Sequence, residues 1–338
     1  MRILALESSC DDTAAAVFDT EHYTVLANTV SSQNEIHARF GGIVPELASR
    51  RHIEMIWPMV TSALDQAQTT LSSIDLVAAT QGPGLVGSLL VGFTFAKSLA
   101  LVQNIPCVGV DHMAGHLLSC LLEEDKPDFP YTALVVSGGN TSLYSVAGPV
   151  TSTRMGKTRD DAAGEAFDKV AKMLDLGYPG GPVISRLARE GDPKAIHFPR
   201  SWLDKDAFDF SFSGLKTSVM NFIRKEQVKT ISLPPKKIAD ICASFQEAVT
   251  EVLTKKTIMA AQYNKHKRIA LGGGVAANVH LRNALEKECA HHGFSLFVPR
   301  PAYCTDNAAM IAIAGWYHYQ HGHRTALDDD AYSRSLLA

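Results

Sequence analysis

The run Arg2-Ile3-Leu4-Ala5-Leu6-Glu7-Ser8-Ser9, the turn Cys10-Asp11-Asp12-Thr13 and the return Ala14-Ala15-Ala16-Val17-Phe18 decide how this chain folds. An apolar run, a polar turn and a second apolar run predict a β-hairpin. Val25 to Ser31 predicts a third strand. The pattern then recurs: Tyr131 to Val136 reads as a strand, Ser137-Gly138-Gly139-Asn140-Thr141 as a turn and Ser142 to Val146 as the returning strand. A second strand, turn and strand at the head of the second half predicts internal duplication of one fold unit. The acidic stretch Glu123 to Pro130, with its two prolines, is the expected boundary. Residues 1–128 with 307–338 are thus expected to form one lobe, and residues 129–306 the other.

Composition sets the outer limits. The 338 residues are 46% hydrophobic and 20% charged, which suits a globular protein with a sizeable core. With 32 basic and 35 acidic residues the net charge is −3, so no strong overall field for nucleic acid or membrane is expected. The six cysteines are scattered without a C-x-x-C pair, which predicts free thiols in a reducing cytoplasm. No signal peptide is read at the N-terminus, no later segment is read as long enough to span a bilayer, and no membrane partner is expected.

Between the two hairpins, Pro45 to Ala67 predicts a helix on which Arg50, Arg51 and His52 read as a solvated basic face. Ile74 to Thr80 predicts a strand that runs into Gln81-Gly82-Pro83-Gly84-Leu85-Val86-Gly87-Ser88, opening a helix from Leu89 to Leu101. Amides at such a helix start can hold an anion, and close helix-to-sheet packing explains the same glycines equally well. The P-loop's Lys-Ser/Thr ending is absent, which excludes an ATPase of that type. In the second half, Thr158 to Lys169 predicts a helix opened by acidic residues, with Asp168 deeper and suited to holding a ligand hydroxyl. Phe208 to Lys216 alternates aromatic and polar residues and predicts a half-buried strand. Lys216, Arg224, Lys225, Lys229, Lys236 and Lys237 make the most basic region, a candidate RNA-facing surface or an ordinary solvated one. Ile238 to Tyr263 predicts a long helix. The strand Arg268 to Leu271 then enters Gly272-Gly273-Gly274-Val275-Ala276-Ala277-Asn278, a turn that would let a nucleotide lie against backbone, with Asn278 able to bond its ribose or base edge. A small-residue helix, Ala308 to Gly315, is expected to close the chain.

Chemistry points first to Asp111-His112-Met113-Ala114-Gly115-His116, which follows the apolar run Pro106 to Val110. Histidines four apart share one helix face, and here they would stand at the carboxyl edge of a sheet. The pair alone is equally compatible with packing and hydrogen bonding. Asp306 changes the balance: it precedes a helix that, in a duplicated fold, packs back on the first lobe and brings the carboxylate within reach of His112 and His116. Two histidines and a carboxylate with open positions suit Fe(II), or Zn²⁺ with a free site. Met113 stands where a zincin protease needs its glutamate.

These motifs together resemble the bacterial tRNA N6-adenosine threonylcarbamoyltransferases (TsaD, formerly O-sialoglycoprotein endopeptidases). The matching segments are Glu7-Ser8-Ser9-Cys10-Asp11, Gly82 to Gly87, His112-Met113-x-Gly115-His116, Val136-Ser137-Gly138-Gly139 and Gly164 to Lys169. They continue through Gly177 to Pro182, Phe212 to Lys216, Gly272 to Asn278 and Cys304-Thr305-Asp306-Asn307. The resemblance covers nearly the whole chain in order. It implies a two-lobed duplicated α/β fold, RNase H-like, of the actin/hexokinase/Hsp70 (ASKHA) type, with an active site in the cleft between lobes.

The resemblance also implies an acyltransferase. It moves threonylcarbamoyl from threonylcarbamoyl-AMP, made by a separate synthase, to N6 of adenosine 37 in tRNAs reading ANN codons, releasing AMP. It implies one divalent metal ion, Fe(2+) first and Zn(2+) second, on His112, His116 and Asp306. Substrate binding would fall on Val135, Val136, Ser137, Gly138, Gly139, Asp168, Gly181 and Asn278, and proton transfer on Asp11. Implied partners are tRNA, TsaB in a heterodimer and the ATPase TsaE, in the cytoplasm. Two positions depart from the pattern: Asp12 replaces the usual Glu, one methylene shorter, and Asn140 replaces the usual His. The alternative within the superfamily is an ATP-dependent small-molecule kinase, which has no use for a two-histidine metal site.

Overall fold

The opening hairpin forms as its sequence predicts. In this computed structural model, which describes residues 1–201, 208–228 and 233–337, β1 (Arg2–Glu7) runs antiparallel to β2 (Asp12–Asp19) with Glu7 opposite Ala14. β3 (Thr24–Ser32) continues antiparallel to β2. A short helix α1 (Asn34–Ala38), in part where Glu35 to Glu46 reads as a loop, leads to α2 (Pro45–Gln66), β4 (Leu76–Gly82), α3 (Val86–Gln103), β5 (Cys107–Asp111) and α4 (His112–Leu118). The second half starts with β6 (Tyr131–Val136), β7 (Thr141–Gly148) and β8 (Thr151–Lys157). There follow α5 (Ala163–Met173), α6 (Gly180–Ala188), α7 (Ser213–Gln227), α8 (Pro235–Asn264), β9 (Arg268–Gly272), α9 (Val279–His292) and β10 (Ser295–Phe297). α10 (Pro301–Cys304) and α11 (Ala308–Gln320) complete the helices.

The two sheets have the orders β3-β2-β1-β4-β5 and β8-β7-β6-β9-β10. Equivalent strands occupy equivalent places, and β4 and β9 run parallel to their neighbours on either side. The duplication expected from the repeated hairpin is therefore a duplication of topology. Two compact units result: Met1–Phe129, Val146–Thr153 and Pro299–Ala338 make the first, Pro130–Ser145 and Arg154–Val298 the second.

In the first unit the central strands are buried on both faces, so β1 reads as a continuous apolar run. Leu4 and Leu6 point to one face, where they pack with Ile56 and Val60 of α2 and Phe93 and Ala96 of α3. The opposite face receives α11, whose residues Ala308 to Ala314 have no exposed surface. In the second unit α8 packs on β6 and β9, and α6 and α9 pack on α8.

Several sequence expectations give way to packing. α3 is long and apolar enough to cross a bilayer by length and composition, with a mean hydropathy of 1.5. Its residues Leu89, Gly92, Phe93 and Ala96 are nevertheless buried within the first unit. His52 is not solvated: it is fully buried, bonded through Nδ1 to Thr13 Oγ1 at 2.8 Å and through Nε2 to the Cys10 carbonyl at 3.0 Å. Phe208 to Lys216 forms no strand. Phe210 makes an isolated bridge to Thr158, α7 starts at Ser213, and the alternation arises because Phe210 and Phe212 are both buried and stacked. The acidic run before α5 does not lie on that helix, which begins at Ala163. Asp160 instead accepts the Phe212 and Ser213 amides at the start of α7, and Asp161 pairs with Lys169 and Lys216. α11 continues to Gln320, and a tail runs on from it.

Candidate metal centre

Asp111 ends β5 and its side chain accepts the Met113 amide at 2.9 Å, which starts α4 on the next residue. His112 and His116 then face the same way, one turn apart. Asp306 immediately precedes Asn307, whose side chain accepts the Met310 amide and starts α11. Both helices belong to the first unit, and Gly115 of α4 lies against Met310 and Ile311 of α11. One oxygen, Asp306 Oδ1, stands 3.2 Å from His116 Nε2 and 3.5 Å from His112 Nε2. Metal bonds of about 2.0–2.2 Å place neighbouring ligand atoms about 3.0–3.5 Å apart, so this spacing fits one transition-metal ion. The histidine side chains are 7% and 0% exposed and that of Asp306 is 23% exposed, so access is from the carboxylate side. His116 Nδ1 is buried without a hydrogen-bond partner. The donor set fits a divalent metal.

The three side chains and Glu7 shift one another's protonation. Burial opposes a charged His112, but Glu7 and Asp306 outweigh it and hold its pKa well above the ordinary value. Burial and the neighbouring His112 keep that of His116 low, despite Asp306. Burial alone would raise the Asp306 carboxyl, yet His112 and His116 pull it far below its usual range.

The turn carrying Asp11 and Asp12 lies within the field of Asp306. Burial, then Asp306, raises the Asp11 carboxyl. The same two causes, with Asp11 added, push Asp12 up to about 7, and its Oδ1 is buried without a partner. The glycines after β4 serve packing. A Cβ on Gly84 would collide with the Ser9 carbonyl, which itself accepts the Leu85 amide at 2.8 Å.

In the second unit the residues expected to bind substrate lie at the end of β6 and the turn after it, on α5 and α6, and at the start of α9. Val135 and Val136 are fully buried, so they offer only main chain. Ser137 closes a turn with Asn140, its amide donating to the Asn140 carbonyl at 2.8 Å and its Oγ accepting the Asn140 amide at 3.1 Å. Gly138 and Gly139 are exposed, with open space around them, and the Gly164 amide at the start of α5 donates to the Ser137 carbonyl. Gly273, at φ +86°, sits against the Val136 carbonyl, where no side chain would fit. Asp168 accepts the Gly180 amide at 2.7 Å and so holds the start of α6, while Gly181 faces open space. Asn278 is the cap of α9, accepting the His280 and Leu281 amides, and its Nδ2 donates to Gln246. Three of the six residues of the basic region are paired: Lys216 with Asp161, Lys236 with Asp240 and Lys237 with Glu226. Arg224 and Lys225 are exposed on α7, and Lys229 lies outside the described residues.

A family model described as TsaD, tRNA N6-adenosine threonylcarbamoyltransferase, matches residues 24–313. A protein of that name from Desulfotalea psychrophila is 56% identical over 337 residues, covering 100% of this chain and 98% of the relative. The chain belongs to the TsaD family. Its namesake in Desulforapulum autotrophicum is 53% identical over 99% of both chains, and that in Syntrophotalea carbinolica 51% identical over 98% of this chain and 96% of the relative. Among solved structures, full-length HypF in its phosphate- and nucleotide-bound form aligns with a TM-score of 0.61 at 14% identity, covering 98% of this chain and 47% of HypF. Component A of the Acidaminococcus fermentans (R)-2-hydroxyglutaryl-CoA dehydratase aligns at 0.55 and 14% identity, over 95% and 98% of the two chains. These distant likenesses concern the fold, which is the duplicated ASKHA-type α/β fold.

In this TsaD-family chain the sequence marked His112, His116 and Asp306 but missed what surrounds them. Glu7 is fully buried, with Oε2 2.9 Å from His112 Nδ1. The signal was a charged residue closing an otherwise apolar strand. The tail after α11 was missed as well: Tyr332, Ser335 and Leu336 all bond Asp111 Oδ2.

Proposed function

We propose that this chain transfers the threonylcarbamoyl group from threonylcarbamoyl-AMP to N6 of adenosine 37 in tRNAs that read codons beginning with A, releasing AMP. The observation that carries this reading is full-length identity of 56% to a tRNA N6-adenosine threonylcarbamoyltransferase, joined to a His-His-Asp cluster spaced for one ion. His112, His116 and Asp306 would hold a divalent metal, Fe(2+) in preference to Zn(2+). When bound, such an ion supplies Lewis-acid polarisation and orientation of the threonylcarbamoyl group. The donor's adenosine is assigned to the surface formed by Gly273 to Asn278, Asp168 and Gly181. Its carbamoyl and phosphate portions are assigned to the main chain of Val135 to Gly139, where Gly138 and Gly139 leave the backbone uncovered.

An aromatic amine is a weak nucleophile, so holding it against the carbonyl should supply much of the rate. Asp11 is assigned to take the N6 proton. A carboxylate raised by burial beside Asp306 is a better proton acceptor than a solvated one, which supports that assignment. TsaB and TsaE belong to this proposal as partners, and the cytoplasm as its location. Ile53 and Trp57 of α2, with Val86 and Leu90 of α3, give the first unit exposed apolar side chains suited to a protein partner. The small-molecule kinase is not favoured, because the relatives at 49–56% identity carry the transferase name.

The test combines purified protein, tRNA, threonylcarbamoyl-AMP and the partner proteins, with nucleoside mass spectrometry as readout. N6-threonylcarbamoyladenosine is expected from wild type, and His112→Ala should lose about a hundredfold or more of the rate. Absence of product with wild type, or undiminished product with His112→Ala, would sink the proposal.

A further inference from the structure

We propose that Glu7 is a positioning residue for the metal centre: its carboxylate holds Nδ1–H of His112, so that Nε2 is the nitrogen offered to the ion. The inference rests on the metal site proposed above and adds a residue to it. Glu7 closes β1 with no exposed surface, and its carboxylate meets the Ser9 amide, the Thr80 hydroxyl and the His112 ring. Oε1 accepts the Ser9 amide at 2.5 Å. Oε2 accepts the Thr80 hydroxyl at 2.6 Å and meets His112 Nδ1 at 2.9 Å.

A carboxylate in the core is costly unless a positive group compensates it. The ionisable partner that the structure gives Glu7 is His112, at 2.9 Å, whose ring would carry the ion's positive charge on its other nitrogen. If the task were to tie β1 to β4, a neutral side chain bonded to Thr80 would perform it at lower cost. A carboxylate is needed where the imidazole must keep its proton on Nδ1 and push electron density toward Nε2, as metal-bound histidines commonly require. The two histidines differ in this respect. His116 Nδ1 has no hydrogen-bond partner, whereas His112 Nδ1 has Glu7 and, at 3.2 Å, Ser9 Oγ. Of the two, Glu7 is the closer and the charged one.

A glutamine at position 7 cannot reproduce this arrangement. Ser9 N–H, Thr80 O–H and His112 Nδ1–H all need acceptors, and an amide has one oxygen. Turning the amide nitrogen toward His112 would favour the tautomer with its proton on Nε2, where the ion must bind.

The experiment is a competitive chelator titration of Zn²⁺ and Fe²⁺ on the purified full chain, wild type against Glu7→Gln. A zinc-loaded, ¹⁵N-histidine-labelled wild type supplies the second readout. Glu7→Gln should weaken binding of either ion about 10- to 100-fold. In wild type, zinc should sit on His112 Nε2, with the Nδ1 proton far downfield as expected beside a carboxylate. Equal affinities for the two proteins, or zinc on His112 Nδ1, would overturn the role of Glu7 while leaving the metal site standing. Failure of wild type to bind either ion would overturn both. The nitrogen assignment comes from wild type, so it decides the matter even if Glu7→Gln does not fold.

Discussion

Asp111→Ala isolates a device that lies beneath the histidine helix. Asp111 is 7% exposed and divides its carboxylate between two tasks. Oδ1 caps α4 through the Met113 amide at 2.9 Å. Oδ2 accepts the Ser335 hydroxyl at 2.9 Å, the Leu336 amide at 3.1 Å and, more weakly, the Tyr332 hydroxyl at 3.3 Å. Loss of a helix cap costs about 1 kcal/mol. Each of the two shorter tail bonds contributes about 1 kcal/mol net, since the freed tail groups regain water. The expected destabilisation is therefore about 3 kcal/mol, which for a unit of this size lowers the melting midpoint by roughly 6–12 °C. Truncation after Tyr332 removes the two shorter tail bonds and leaves the cap and the weak Tyr332 contact, so it should cost about 2 kcal/mol. In the truncated background Asp111→Ala should then cost little beyond the cap, about 1 kcal/mol. Thermal unfolding of the four proteins in one buffer measures the cycle. Full additivity, with Asp111→Ala costing the same in both backgrounds, would refute the claim that the tail is held through this carboxylate.

Two further substitutions probe the surroundings of the cluster. Asp12 carries a folded-state pKa of about 7 against an ordinary 3.8, so its contribution to stability is full below pH 3.8 and is lost as pH rises through 7. Asp12→Asn should thus stabilise the metal-free protein by about 1–3 kcal/mol at pH 8 and by little at pH 4.5, and melting curves at the two pH values check the sign. Gly115→Ala would place a methyl group 3.0 Å from Met310 Cγ and 3.1 Å from Ile311 Cδ1. A helix-propensity gain of about 1 kcal/mol should roughly offset this strain, leaving the melting midpoint within a few degrees while zinc affinity drops severalfold, because α4 and α11 carry the ligands.

The fold was legible where one physical signal dominated. The repeated strand, polar turn and strand fixed the duplication because both halves bury their first hairpin. The histidine spacing fixed a shared face because helical geometry leaves no other arrangement. What escaped was set by tertiary partners. Phe210 and Phe212 alternate like a strand, yet their burial and stacking, not pairing with another strand, produce the pattern. His52 sat in a basic triplet that read as solvent-facing, whereas Thr13 and the Cys10 carbonyl claim both its ring nitrogens. Asp160 and Asp161 resembled helix-opening acids, yet besides Lys169 on α5 they reach Phe212, Ser213 and Lys216, some fifty residues onward at the start of α7. Asn278, expected to contact a ligand, has a structural task the sequence left unread: it caps α9 and donates to Gln246.

Ligands nearly two hundred residues apart meet at ångström precision because two caps and one glycine constrain them. Asp111 starts α4 at the residue before His112, and Asn307 starts α11 at the residue after Asp306. Each ligand-bearing backbone is thereby fixed by a hydrogen bond within three residues. Gly115, between the two histidines, lets α11 approach α4 closely. Met310 and Ile311 on the facing turn are fully buried, so the contact has little room to relax. Behind the histidines Glu7 fixes one ring, and beneath them the tail secures the cap. The order of these constraints implies where variation is tolerable. Surface changes on α2 or α7 leave the ligand geometry alone, whereas a single methyl group at Gly115 reaches His116 and Asp306 together.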